Sequence, residues 1–209
     1  MKIYTILFFI LLNSSLSAAT LQETIEQLQK DWAIANFETQ KANLENVFEK
    51  LTLAANKAQK QFPDSAEILI WKAVIVSSDA GKNGGGLSAL RKAKEAQKLL
   101  LKAEKINPMA LNGSIYLSLG SLYYQAPGWP FAFGDDDQAR IYLKKALKID
   151  PEGMDPNFFY AEFLVDQGEE KEALSYYNKA LKAPTLVNRP VADRGRRAEI
   201  TQKLKKLAN

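Results

Sequence analysis

The 209-residue sequence contains neither cysteine nor histidine. Without cysteine, a disulfide framework and the lipid-attachment site of a bacterial lipoprotein are both excluded. Without either residue, the chain lacks the usual zinc ligands, thiol nucleophiles and side chains that titrate near neutral pH. Catalysis would have to rely on carboxylates, Lys, Tyr or Ser alone. We therefore expect a protein that is not an enzyme and that binds no cofactor or metal.

Long apolar runs are equally scarce. The longest, residues 3–12, is too short for a membrane-spanning helix, which needs roughly 20 residues. It follows a basic start and precedes a small-residue segment that ends at Ala19, a pattern typical of a secretory signal peptide. We predict a signal peptide over residues 1–19, cleaved near Ala19, and a single domain over residues 20–209. The mature protein should be soluble and periplasmic, and nucleic acid is not an expected partner.

The rest of the chain divides into helical units that each end at a proline. The units span residues 21–63, 64–108, 113–151 and 155–184. Their second helices repeat a small–large–small order at steps of four and three residues, which allows close helix packing. That order is found in three places: Ala96–Leu100–Ala103, Ala139–Leu143–Ala146 and Ala173–Tyr177–Ala180.

This repetition predicts an all-α fold: a tetratricopeptide-like, right-handed array of about four helix pairs. A last helix from about Asp193 to Leu207 is predicted to cap the final hydrophobic face. A glycine-rich turn over residues 77–86 should separate the helices of the second unit. The predicted core residues are Trp32, Trp71, Ala73, Leu100, Leu119, Gly120, Tyr123, Ala139, Leu143, Ala146, Tyr160, Ala173, Tyr177 and Ala180.

An inserted loop, Gln125–Asp137, interrupts the third unit with the sequence QAPGWPFAFGDDD. Insertions in repeat arrays fall on loops at one edge and often serve binding. Two interpretations stay open. In the first, Trp129, Phe131 and Phe133 form the walls of a ligand pocket, with Asp135, Asp136 and Asp137 at its rim. In the second, the aromatic side chains fold inward as a plug and one Asp caps the following helix.

Tyr124 lies beside the repeat-core positions, as does Tyr176, so we expect both on an exposed concave surface. The candidate surface for a ligand or partner comprises Tyr124, Trp129, Phe131, Phe133, Asp135, Asp136, Arg196 and Arg197.

The C-terminal segment is strongly basic, with eight basic and two acidic residues over 182–209. Arginine suits sites where a planar group with several donors must hold carboxylates or carbonyls in fixed geometry. We therefore predict that Arg196 or Arg197 folds back onto the preceding repeat. The expected acceptors are Asp155, Asp166, Glu169 and the last carbonyls of the 170–182 helix. In the alternative, both arginines are free and belong to a surface for an acidic partner.

Several segments together resemble one particular family: YLSLGSLYYQAPGWPFAFGDDDQARIYLKKAL, DPNFFYAEFLVDQG and NRPVADRGRRAEI. It is the exported tetratricopeptide-repeat family that includes the T component associated with tripartite ATP-independent periplasmic (TRAP) transporters. The resemblance spans roughly residues 62–200, and the Trp129 loop is its most specific part. It implies an all-helical array and, for transporter-associated members, partnership with a periplasmic solute-binding protein.

Two functions follow as hypotheses. The first is a periplasmic scaffold for protein–protein interaction, acting as an accessory of a TRAP-type transporter. The alternative is a carrier of a small apolar ligand, held in a cavity or pore near the Trp129 loop. The expected partners are thus an envelope protein such as a solute-binding protein, a small apolar molecule or a second copy of the chain.

Overall fold

The computed structural model describes residues 3–207, with side chains from Thr20 onward. The predicted signal peptide, residues 1–19, lies outside the residues whose side chains are described. Over the described range the chain forms a helical repeat array, which confirms the predicted all-α fold. The helices are α1 (Ile3–Phe37), α2 (Leu44–Gln61), α3 (Ala66–Asn83), α4 (Gly86–Ile106), α5 (Ala110–Gln125), α6 (Asp136–Ile149), α7 (Met154–Asp166), α8 (Glu170–Lys182) and α9 (Pro190–Leu207).

Consecutive helices pack as pairs, α3 with α4, α5 with α6 and α7 with α8. Small residues set how closely they approach. A Cβ atom added at Gly120 of α5 would lie 2.6 Å from Cγ and 3.0 Å from the backbone nitrogen of Leu143 in α6. Ala139, Leu143 and Ala146 are all buried against this crossing. The small–large–small order therefore lets α5 and α6 pack closely, as the sequence pattern predicts.

Most of the predicted core is buried, and the two exceptions have polar ends that reach partners. Trp32 is half-buried and donates its Nε1–H to Ser78 Oγ at 2.9 Å. Tyr123 is also half-buried, and its hydroxyl accepts a hydrogen bond from Gln97 Nε2 at 3.2 Å. Both side chains pack against the core, as predicted, but they are only half-buried, and their polar atoms reach partners there.

Two predicted boundaries also need correction. Helix α3 continues to Asn83, so the glycine-rich turn is confined to Gly84 and Gly85 rather than spanning residues 77–86. Helix α9 begins at Pro190, three residues before the predicted start. Proline suits the first turn of a helix, where its missing N–H would have had no helical acceptor.

Helix α5 contains a left-handed turn at its start. Leu111, Asn112 and Gly113 have φ angles of 50°, 53° and 73°. Such values are uncommon for residues other than glycine. A Cβ at Gly113 would approach Ile149 Cδ1 to 2.6 Å, so packing as well as φ favours glycine there.

The two ends of the array touch. Helix α1 packs on α2 and α3, and it also packs on α9. Gly195 of α9 faces the ring of Phe37, where an added Cβ would overlap ring atoms. Beside it, Arg194 lies 3.2 Å from Glu38, and the Arg196 guanidinium lies 5.6 Å from the Phe37 ring centroid. This α1–α9 contact brings the two ends of the array together beside the cavity on its inner side.

Candidate functional site

The inner side of the array encloses a cavity of about 760 Å³. Side chains from α1, α3, α4, α5, α7 and α9 reach it, so helices from both ends of the array contribute to its wall. Its volume falls within the range of pockets that bind small molecules, about 300–1,000 Å³. The apolar part of the wall includes Trp32, Trp71, Val74, Leu90, Leu117 and Phe159.

Five serines also line the cavity, but most of their hydroxyl groups already have partners. Ser77, Ser114 and Ser121 each donate to a carbonyl three or four residues earlier in the same helix, at 2.6–3.0 Å. The hydroxyl of Ser78 accepts the hydrogen bond from Trp32. Because these groups are satisfied, the wall offers few free donors, and its chemistry is closer to that of an apolar pocket than its composition suggests.

One end of the cavity is charged. Arg196 is only 7% exposed, and its Nε donates to Asp155 Oδ1 at 2.9 Å. A second nitrogen, Nη1, lies 2.5 Å from Glu199. The same guanidinium lies 4.3 Å from the Phe158 ring centroid, a cation–π distance. Arg189 also reaches this end and has no carboxylate partner among the described side chains.

A second arginine, Arg197, fastens α9 to the preceding repeat. Its Nη1 donates to Leu181 O at 2.6 Å and its Nη2 to Ala183 O at 2.8 Å. Its Nε donates to Asp193 Oδ2 at 3.0 Å. We call these contacts, together with the Arg196–Asp155 pair, the arginine clasp. The prediction that Arg196 or Arg197 folds back onto the preceding repeat is confirmed for both residues.

The other two predicted acceptors are not used by the clasp. Glu169 pairs instead with Arg140 at 2.5 Å, which joins α6 to the start of α8. Asp166 accepts a hydrogen bond from the neighbouring Gln167. Within the clasp, burial by itself raises the pKa of Asp193. Hydrogen bonds from Arg197 and from the backbone N–H of Leu186 outweigh burial and hold that pKa below its usual value.

The inserted loop is tied down at both ends. The backbone N–H of Gly134 donates to Pro127 O at 2.9 Å, and that of Asp135 donates to Tyr123 O at 3.0 Å. The Trp129–Pro130 peptide bond is cis. On the α4 side, Lys94 Nζ donates to Phe131 O at 3.4 Å.

Neither interpretation of this loop describes it completely. The plug interpretation is right for Phe133, whose ring packs edge-to-face on Tyr123 at 5.5 Å. The predicted helix cap is also confirmed, since Asp135 Oδ1 accepts the N–H of Gln138 at 2.9 Å. Phe131 instead lies at the edge of the cavity and is 71% exposed, while Trp129 is 89% exposed. The loop therefore supplies one inward and two outward aromatic side chains.

Of the remaining predicted surface residues, some are exposed and others are half-buried. Asp136 and Asp137 are exposed in the first turn of α6. Tyr124 was expected on an exposed surface, but it is half-buried, with its ring 5.7 Å from that of Phe163. Burial raises the pKa of its hydroxyl. Tyr176 is likewise half-buried, 4.7 Å from the Tyr160 ring. Both expectations of exposure are wrong because each ring packs between neighbouring helices.

Sequence reasoning missed most of the cavity wall. The signal was present in α5, where Ser114, Ser118 and Ser121 recur at steps of four and three residues on one face. A small-residue stripe opposite the Leu119–Gly120 packing face indicates a helix side that faces open space. A smaller cavity, of about 290 Å³, adjoins the first and shares Leu111 and Arg189 in its wall.

The described part of the chain contains no cluster of acidic side chains able to hold a metal ion. Nor does any helix there have the length and hydropathy required to cross a membrane.

Comparisons with known proteins agree with a repeat architecture. Residues 131–152 and 156–184 match the family model for the tetratricopeptide repeat. No curated protein matches the sequence significantly.

Three solved structures are similar in part. The crystal structure of MamA has 18% identity and a TM-score of 0.46, covering 80% of this chain and 91% of its own. TTC0263, a thermophilic TPR protein of Thermus thermophilus, has 19% identity and a TM-score of 0.43, and the match covers 86% of this chain and 99% of TTC0263. Pseudomonas aeruginosa PilF has 16% identity and a TM-score of 0.37, and the match covers 90% of this chain and 93% of PilF. The two segments that match the tetratricopeptide-repeat model, residues 131–152 and 156–184, lie within a longer helical repeat array.

Proposed function

We propose that this protein is a non-enzymatic scaffold of the bacterial periplasm that binds a partner protein on the inner surface of its array. The cavity of about 760 Å³ carries the proposal, because stacked helix pairs bind partners on their concave side. Tetratricopeptide repeats support a role in protein–protein interaction. The family resemblance of the Trp129 loop supports a solute-binding protein of a TRAP-type transporter as the partner.

Site-specific photo-crosslinking tests this function. A photoreactive phenylalanine at Ser118, in the cavity wall, should capture one discrete protein from cells that express the variant. The matched control places the same residue at Ile141, which is exposed on α6 and lines neither cavity. Equal capture from both positions, or none from Ser118, would contradict binding on the inner surface. Mass spectrometry of the captured band tests whether the partner is a solute-binding protein.

The proposed location has its own test. Osmotic shock should release the protein with the periplasmic fraction, and N-terminal sequencing of the released protein should begin at Thr20. A protein that starts at Met1 and stays with the spheroplasts would contradict export.

A second candidate function is a carrier of a small apolar ligand. The specific observation that favours it is the satisfied hydroxyl groups of the cavity wall, which leave an aromatic and aliphatic surface with few free donors. Native mass spectrometry of gently purified protein should then reveal a co-purifying small molecule. Ser118→Trp, which places an indole ring inside the cavity, should weaken retention of the molecule, whereas Ile141→Trp on the outer face should retain it. A protein that is ligand-free in every preparation would favour the scaffold alone.

A further inference from the structure

Three large apolar side chains are exposed on the inserted loop and on the helix beside it. Trp129 and Phe131 belong to the inserted loop, and Leu87, which is 85% exposed, belongs to the first turn of α4. Phe131 and Leu90, one turn after Leu87, line the same cavity, and Lys94 of α4 donates to Phe131 O at 3.4 Å, so the loop lies beside α4. We call Leu87, Trp129 and Phe131 the exposed rim.

The exposed rim is held in place rather than left loose. The loop is anchored by the backbone bonds from Gly134 and Asp135, and Lys94 joins the backbone of Phe131 to α4. Three such side chains exposed to water indicate a binding surface, because exposed apolar patches usually mark one.

A row of cations runs along the same helix. Arg91, Lys94 and Lys98 follow Leu87 at steps of four, three and four residues, which puts all four on one face of α4. All three basic side chains are exposed, and none forms an ion pair with a described carboxylate. Their neighbours Lys92 and Lys72, by contrast, pair with Asp79 and Glu95.

The acidic residues of the inserted loop form no ion pairs with this row of cations. The carboxylate of Asp135 is used as the α6 helix cap, and Asp136 and Asp137 lie in the first turn of α6. The positive end of the α6 dipole, equivalent to about half an elementary charge, offsets part of this negative charge. None of the three carboxylates forms an ion pair with Arg91, Lys94 or Lys98.

We propose that the exposed rim and this row of cations form a docking surface for an anionic lipid bilayer. Trp, Phe and Leu side chains enter the boundary between head groups and acyl chains, where an aromatic ring is favoured. Lys and Arg beside them contact anionic head groups. The positive charge of the row complements that of anionic head groups, which favours an anionic bilayer as the occupant.

Vesicle binding by the full folded protein tests this surface. Co-sedimentation is measured with vesicles of phosphatidylcholine alone and of phosphatidylcholine mixed with phosphatidylglycerol. We expect association with both, stronger on the mixed vesicles. Tryptophan emission should shift to shorter wavelength on binding. The shift should be absent in Trp129→Phe, because Trp71 is buried and Trp32 is half-buried and bonded to Ser78.

Two sets of substitutions separate the two parts of the surface. Trp129→Ala with Phe131→Ala should weaken partitioning to both vesicles by about tenfold. Arg91→Gln and Lys98→Gln together should weaken binding to the mixed vesicles by about tenfold and leave binding to phosphatidylcholine unchanged, since Lys94, which holds the loop, is kept. The matched control removes two exposed cations elsewhere, Lys144 and Lys148, and should change neither. Circular dichroism confirms that each variant is folded.

The proposal is overturned if wild-type protein binds neither vesicle, or if the rim variants bind as well as wild type does. It is also overturned if a photoreactive residue at position 129 captures a protein in cells while purified protein ignores vesicles. In that case the rim is a protein-docking surface. Crosslinking from Ser118 is independent of these results, so failure of bilayer docking is distinguishable from failure of the proposed scaffold function.

Discussion

At the scale of single residues, glycine decides how closely the helices of this array approach. Gly120 allows α5 to meet the backbone of Leu143, whereas Gly81, also within a helix, has no atom within 4 Å of an added Cβ. The two positions share a residue type and a helical setting but differ in what surrounds them. Substitution at each therefore separates packing from helix propensity.

Gly120→Leu should lower the free energy of unfolding by about 1–3 kcal/mol, because the larger side chain forces α5 and α6 apart. Gly81→Ala should instead raise it by about 0.5–1 kcal/mol, since alanine favours the helix and meets no neighbour. Urea unfolding followed by circular dichroism measures both. Equal effects of the two substitutions would show that the α5–α6 crossing is looser than described.

Asp193 links stability to acid pH. Because its pKa in the folded state is depressed, it contributes stability above the unfolded pKa of about 4 and loses that contribution as pH falls further. The melting temperature of the wild type should therefore drop below about pH 4. Asp193→Asn should lower the melting temperature at pH 7 and flatten part of the acid decrease. An acid limb identical in both proteins would contradict this role for Asp193.

At the scale of helices, the features that could be predicted from the sequence are those that recur from one repeat to the next. Ala139, Leu143 and Ala146 recur at steps shared with two other helices, so the pairing of α5 with α6 follows from the pattern. The loop does not repeat, so its side chains could not be placed in advance. Phe133 packs inward and Phe131 outward because the backbone bonds at Gly134 and Asp135 fix their directions, and those bonds leave no local sequence signal.

The arginine clasp could be predicted because its chemistry is specific. Arg197 uses three nitrogens on Leu181 O, Ala183 O and Asp193, a geometry that the single ammonium of lysine cannot reproduce. Arg197→Lys should therefore lower the free energy of unfolding by about 1–3 kcal/mol, because buried carbonyls lose their donors. Arg194→Lys, at a pair exposed on both sides, should change it by less than about 0.5 kcal/mol. Thermal unfolding distinguishes the two, and equal melting temperatures would contradict the clasp.

At the scale of the whole molecule, the α1–α9 contact joins the two ends of the array. The local repeats pair neighbouring helices only, so nothing in their pattern requires the first helix to meet the last. The contact depends instead on Gly195, which admits the ring of Phe37, and on Arg196, which lies over that ring and reaches Asp155. Trp32 of α1 and Arg196 of α9 both line the cavity, so the contact brings the two ends of the array to one wall.

The absence of native cysteine allows this contact to be tested with one engineered disulfide. An ideal Cβ at position 195 would lie 2.8 Å from Phe37 Cβ, so a small backbone shift gives the roughly 3.5–4.5 Å of a disulfide. The variant Phe37→Cys with Gly195→Cys should form an intramolecular bond on mild oxidation. The oxidised form should be more stable than the reduced form by about 2–4 kcal/mol, because a bond across most of the chain restricts the unfolded state.

Comparison of the two redox states of this one variant controls for the lost Phe37 packing. Reduction should raise hydrogen exchange in α1 and α9 and leave α5 and α6 unchanged, because only the ends of the array separate. Failure to form the bond under oxidising conditions would contradict contact between α1 and α9 in solution. Uniform exchange across all helices after reduction would show that the contact stabilises the whole array rather than its two ends.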